Sequence, residues 1–185
     1  KNRNVVVIDV LRATSVIVTA LNNGAKSVQT VAHIAEAFEL QKHDTNLLLA
    51  GERDAKKIPD FNFGNSPLEM LAEAVQGRDI IMSTSNGTQA IHAALQAKSI
   101  RTAAFVNMKA VVDELLDLAE DFSIICSGTN GHFSLDDGLA AGILINRIAQ
   151  KTNVQLSDNG LILSLAMKQE SQLKDALKHC FHLNF

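Results

Sequence analysis

Short apolar runs rich in β-branched residues alternate along this chain with longer stretches whose apolar positions recur every three or four residues. That alternation predicts βαβ units. The runs are Val5–Ile8, Ser27–Val31, Leu47–Ala50, Asp79–Met82, Thr102–Val106 and Ser123–Cys126, enough strands for one sheet. Between them, Ala13–Asn22, Ile34–His43, Pro67–Val75, Thr88–Ala97 and Lys109–Ala119 have helical spacing, and helices of that kind cover both faces of a sheet. After Cys126 the pattern predicts a helix over Leu135–Gln150, a break at Ser157–Gly160 and a second helix over Leu161–Leu183.

A weak repeat runs through the pattern. Thr14, Ala20 and Leu21 match Thr88, Ala94 and Leu95 at an offset of 74, and Lys26, Ser27 and Thr30 match Lys98, Ser99 and Thr102 at 72. Two related halves, about 5–77 and 79–151, are expected within one domain spanning 1–185, followed by C-terminal helices over 152–185.

Composition narrows the functions. Of 185 residues, 46% are hydrophobic and 20% charged, which supports a substantial core and argues against disorder. The net charge of -3 supplies no basic field for nucleic acid or anionic lipid, and eight Phe with no Trp or Tyr leave few stacking platforms. No run approaches the roughly 18–20 apolar residues that cross a bilayer. Two cysteines, Cys126 and Cys180, suit a reducing, cytoplasmic setting. No signal-like segment opens the chain, yet it begins at Lys1, so trimmed ends are expected.

Polar and small residues gather where the apolar runs end: Asp9, Gly51-Glu52-Arg53, Ser83 to Thr88, Asn107 and Ser127-Gly128-Thr129. In an open α/β sheet that edge binds ligands. Asp9 closes a buried strand and needs donors or a cation, and Arg12 presents a planar fork for oxyanions; a purely structural Asp9–Arg12 pair with Thr14 as cap explains the segment equally well. At Ser83–Thr88, free backbone N–H groups with the Ser85 and Thr88 hydroxyls would make an anion seat, and an ordinary helix cap at Ser85 or Asn86 with Gly87 easing the turn is the plainer alternative. The loop 51–67 is long for a βα connection and carries Glu52 and Arg53 at its root; its Lys56 and Lys57 could help screen an anion but read more simply as solvated. In 126–142, Asp136 and Asp137 open a helix, where acids also complement the dipole, and a metal or general-base role falls to Asp137. Cys126 would be a nucleophile only as an activated thiolate. Neither GxxxxGK followed by Ser or Thr, nor GxGxxG at a helix start, is present, and Leu11 two positions after Asp9 breaks the two-aspartate phosphatase pattern.

In order, Val7-Ile8-Asp9-Val10-Leu11-Arg12-Ala13-Thr14, Gly51-Glu52-Arg53, Phe63-Gly64-Asn65-Ser66-Pro67, Thr84-Ser85-Asn86-Gly87-Thr88, and Cys126-Ser127-Gly128 with Ser134-Leu135-Asp136-Asp137 resemble the 2-phosphosulfolactate phosphatase family. Asp136 stands where that family is expected to carry Glu and Ser85 where it carries Thr; both keep the functional group. The resemblance implies a three-layer α/β/α sandwich and a Mg²⁺-dependent hydrolase that converts 2-phospho-3-sulfolactate to 3-sulfolactate and phosphate in coenzyme M biosynthesis. It implies Asp9 with Glu52 or Asp137 on the metal, and Arg12, Arg53 and the N–H groups at 85–88 and 127–129 on phosphate, carboxylate and sulfonate oxygens. Thr14, Asn65, Ser66, Ser85, Asn86, Gly87, Thr88, Ser127 and Gly128 complete the expected substrate set, with Cys126 as a minor covalent alternative. The rival readings are a non-catalytic module for a small organic anion and a phosphatase for a related hydroxy acid. Leu177 and Phe181 could serve either a homodimer interface or the core.

Overall fold

The computed structural model describes residues 3–180. Strand β1 (Asn4–Ile8) leads to α1 (Ala13–Asn22), β2 (Ser27–Thr30), α2 (Ile34–His43) and β3 (Leu48–Arg53), which turns back as the short β4 (Lys56–Lys57). A 3₁₀ turn at Pro67–Glu69 and the short α3 (Ala72–Val75) precede β5 (Asp79–Ser83), α4 (Gly87–Ala93) and β6 (Ser99–Ala103). Then come α5 (Met108–Leu118), β7 (Phe122–Cys126), α6 (Leu135–Ala149), α7 (Asp158–Ala166) and α8 (Leu173–Leu177).

The strands form two hydrogen-bonded sheets where the apolar runs suggested one. Parallel β6-β1-β7 make the first; β2-β5-β3 are parallel in the second, with β4 antiparallel at its edge. Each sheet takes its central strand from the other part of the chain: β1 inserts between β6 and β7, and β5 between β2 and β3.

Strand alternation decides what faces what. Val5 and Val7 of β1, Leu48 and Ala50 of β3, and Ile80 and Met82 of β5 point into one core shared with α1 and α4, which lie between the sheets. Val6 and Ile8 face the other way, onto Met108, Val111 and Leu115 of α5 and Ile143 and Leu144 of α6. Leu49 and Ile81 meet Ala37 of α2, Ile58 and Phe61. Each sheet is thus the middle of an α/β/α sandwich. With both faces covered, β1 is buried at every position and reads as a continuous apolar run.

Five predicted elements differ: β3 runs on to Arg53 beyond the run expected to end at Ala50, α4 ends at Ala93 instead of Ala97, and three more have a local cause. The strand expected at Thr102–Val106 lies at Ser99–Ala103 because Asn107 caps the following turn: Ala104 N donates to Asn107 Oδ1 (2.8 Å) and Asn107 Nδ2 to the Thr102 carbonyl (2.9 Å). The helix expected over Pro67–Val75 is split, with Leu71 extended between its two short pieces. The long helix expected to Leu183 stops at Ala166, where Asn146 Nδ2 donates to the carbonyls of Ser164 (3.0 Å) and Met167 (2.8 Å), and resumes only at Leu173. Leu177 packs against the α5/α6 core; Phe181 lies outside the described residues. No helix among the described residues is long and apolar enough to cross a membrane.

Candidate active site

The carboxyl ends of β1, β3, β5 and β7 converge on a cleft of about 440 Å³, within the range of small-ligand sites. Asp9, Asp136 and Asp137, all buried, form its floor, and Arg12, Glu52, Lys56, Asn65, Ser85, Asn86, Ser127 and Gly128 line it.

Asp9 follows β1 directly, and its Oδ1 accepts from Ala13 N (2.9 Å) at the start of α1. Thr14 locks that turn: Asp9 N donates to Thr14 Oγ1 (3.1 Å), which lies 2.7 Å from the Asp9 carbonyl and 2.8 Å from that of Ala103. Thr88 makes the equivalent contact after β5, accepting from Thr84 N (3.0 Å) and donating to the Thr84 carbonyl (2.9 Å). Both threonines are fully buried and serve the backbone instead of the cleft.

Asp137 is held by three donors: Val10 N on Oδ1 (2.9 Å), and Ser127 Oγ (2.9 Å) and Gly128 N (3.0 Å) on Oδ2. It ties the end of β1 to the loop after β7. Gly128 adopts a left-handed φ of 65°, and a Cβ there would stand 2.4 Å from the His132 carbonyl, so the residue type follows from the turn. Burial pushes the Asp9 carboxyl up to about 6, with Asp136 and Glu52 adding repulsion against the hydrogen bond from Ala13. Burial, then the charge of Asp9, pushes Asp137 to about 7. An acid floor of this kind is stabilised by a cation or by shared protons.

Glu52 plays a different part from the one the sequence suggested. Its Oε1 accepts from Ser85 N (2.7 Å), and its Oε2 from Ala55 N (2.9 Å) and Ser85 Oγ (3.2 Å), so it clamps the β3–β4 hairpin to the loop after β5. Among the described residues no three His, Cys, Asp or Glu side chains group so as to hold a metal ion.

The expected backbone anion seats are also largely taken. Ser85 N is bound by Glu52 and Thr88 N by Thr84 Oγ1 (3.1 Å). Ser127 N goes to the Ile8 carbonyl (2.8 Å), Gly128 N to Asp137, and Thr129 N to the His132 carbonyl (2.9 Å). Arg53 turns away, donating to the Glu52 carbonyl (2.7 Å) and Ser83 Oγ (2.8 Å), because β3 continues through it and sets its side chain against β5. Ser66 caps the 3₁₀ turn through Leu68 N, and Gly87 packs against Asp9. Cys126 lines a separate cleft along β7, and burial with Asp137 and Asp136 nearby pushes its thiol up to about 12, so it is no activated nucleophile.

Asn65 does reach the cleft, and its buried Oδ1 accepts no hydrogen bond among the described residues, an unmet acceptor of the kind ligands or water satisfy. Lys56, which the sequence reads most simply as solvated, also lines the cleft, and the length of its loop is the sequence signal for it. Asn130 was missed without any such signal: its N donates to Asn86 Oδ1 (2.9 Å), joining the loops after β5 and β7 across the cleft.

Fold and site define an α/β protein with an acid-floored ligand cleft at the carboxyl edge of its strands. Comparison with known proteins supplies the family: residues 1–185 match 2-phosphosulpholactate phosphatase throughout. The probable 2-phosphosulfolactate phosphatase of Clostridium novyi (strain NT) is 41% identical over 185 residues, 100% of this chain and 79% of that protein. Those of Clostridium tetani (50% over 159 residues, 85% and 68% covered) and Caldanaerobacter subterraneus subsp. tengcongensis (43% over 187, 99% and 77% covered) agree. The chain belongs to the 2-phosphosulpholactate phosphatase family and is a phosphoric monoester hydrolase.

Proposed function

We propose that this phosphatase hydrolyses 2-phospho-3-sulfolactate to 3-sulfolactate and phosphate with Mg²⁺, in the cytoplasm, as a step of coenzyme M biosynthesis. The observation that carries the metal is the acid floor: burial raises the proton affinity of two carboxylates, Asp9 and Asp137, the charge of Asp9 raises Asp137 further, and a third buried acid, Asp136, adds to both. Mg²⁺ takes oxygen ligands and is commonly held by one or two carboxylates with waters and phosphoryl oxygens, a donor set that Asp9 and Asp137 fit. When bound it would neutralise charge on the transferring phosphoryl group.

The protein's own residues do the remaining work. Asp137, fixed by Val10, Ser127 and Gly128, keeps the ends of β1 and β7 in register. Glu52 fixes the hairpin and the loop after β5 that form the opposite wall. Arg12, following the cis Leu11–Arg12 peptide, presents its guanidinium to the cleft for an oxyanion of the substrate. Water adds to phosphorus, the ester P–O bond breaks, and the 2-oxygen leaves protonated as the hydroxyl of sulfolactate.

The test is phosphate release from 2-phosphosulfolactate with Mg²⁺ and with chelator. Chelator-sensitive turnover that disappears in Asp9→Asn is the expected result; full activity in chelator or in that variant overturns the metal reading.

A further inference from the structure

We infer that Lys56, at the tip of the β3–β4 hairpin, is the specificity-determining residue that binds the sulfonate of the substrate. The inference rests on the substrate proposed above and extends it to the non-reacting end. Among the described residues, Arg12 and Lys56 are the cations that line the cleft, and neither side chain is hydrogen-bonded or ion-paired to the protein. The other cation expected there, Arg53, is occupied by the Glu52 carbonyl and Ser83. The backbone donors of both cleft loops are mostly committed as well, so side-chain charge must hold the anionic arms.

The hairpin is built to present Lys56. Asp54 and Ala55 both adopt left-handed φ values, 52° and 61°, and Glu52 Oε2 accepts from Ala55 N at 2.9 Å, which pins the tip. Arg53 pairs with Lys56 and Glu52 with Lys57 across the ladder. Just past that pinned turn Lys56 lines the cleft, while Lys57 lies against Gly64 and does not line it.

The substrate carries three anionic groups on a three-carbon skeleton. A Mg²⁺ held by Asp9 and Asp137 would favour the phosphate at the acid floor, which leaves carboxylate and sulfonate to the two rim cations. The planar fork of Arg12 matches a carboxylate, and the flexible ammonium of Lys56 suits the tetrahedral sulfonate.

The experiment compares wild type, Lys56→Ala, Lys56→Arg and Lys57→Ala on two esters, 2-phosphosulfolactate and 2-phospholactate, which lacks the sulfonate. Removing one charge-assisted hydrogen bond at an exposed rim predicts a KM for phosphosulfolactate about 10-fold higher in Lys56→Ala, with kcat little changed. The KM for phospholactate stays put, Lys56→Arg recovers most of the affinity, and Lys57→Ala behaves as wild type. Equal KM shifts on both esters, or an equal effect from Lys57→Ala, overturn the inference. If wild type hydrolyses neither ester, the proposed substrate fails separately; calorimetric binding of 3-sulfolactate to the same variants then decides Lys56, with weaker binding in Lys56→Ala supporting its role and unchanged affinity overturning it.

Discussion

Gly87 stands directly against Asp9: a Cβ built at position 87 would lie 2.3 Å from Asp9 Oδ2 and 2.4 Å from the Ala13 Cβ. The first residue of α4 thus packs onto the carboxylate that closes β1, and no larger residue fits without moving one of them. Gly87→Ala should lower stability by about 1–3 kcal/mol through overpacking and cut kcat/KM by displacing Asp9. Combining it with Asp9→Ala should recover part of the stability, a coupling that a double-mutant cycle in urea would measure. Additive effects would show that the two residues do not press on each other.

Asp9 makes the metal-free protein sensitive to pH. Its carboxyl is raised from 3.8 to about 6 in the folded state, so folding opposes its ionisation. That penalty is absent below the unfolded pKa near 4, grows as pH rises, and is complete above about 6, where it reaches about 3 kcal/mol. In chelator, Asp9→Asn should match wild type near pH 4 and be more stable by up to that amount at pH 7.5. Mg²⁺ should raise the melting temperature of wild type at pH 7.5 and leave Asp9→Asn unmoved. A constant difference between the two proteins across this range would contradict the assignment.

Asp137→Asn should behave in the opposite sense, although it also removes a buried charge. Val10 N, Ser127 Oγ and Gly128 N all donate to this carboxylate, and an amide would turn its NH₂ toward one of those donors. A loss of about 1–3 kcal/mol is expected, read from chemical denaturation in chelator. A stabilised Asp137→Asn variant would show that these hydrogen bonds do not matter.

Thr14→Val keeps the shape of the turn after β1 and deletes its hydroxyl. The buried Asp9 N–H and Ala103 carbonyl would each lose a partner, with a cost of about 1–3 kcal/mol. Hydrogen exchange at the Asp9 amide should accelerate more than at the β1 amides; uniform acceleration would point to global destabilisation alone.

Cys126→Ser should retain activity within a few-fold, because a thiol pushed up to about 12 is almost wholly protonated near neutrality. Steady-state kinetics on the folded variant decides this. A loss of two orders of magnitude would restore the cysteine to the chemistry.

What the sequence determined by itself was local. Helices α1 and α2 coincide with their predicted spans, and the apolar runs at β1, β5 and β7 lie within one residue of their expected ends, because side-chain alternation and helical spacing act over neighbouring residues. The ordered motifs likewise pointed to the family, and Asp9, Arg12, Asn65, Ser85, Asn86, Ser127, Gly128 and Asp137 do line one cleft. Only the tertiary structure decided which donor serves which acceptor. Glu52 meets Ser85 across 33 residues of chain, and Asp137 meets Val10 across 127. Those partners share no periodicity, so a sequence that displays free N–H groups and a candidate metal ligand cannot reveal that each has already been claimed by the other. The exchange of β1 and β5 between the sheets brings the strand ends together, and among the described residues Arg12 and Lys56 are the cations that line the resulting cleft.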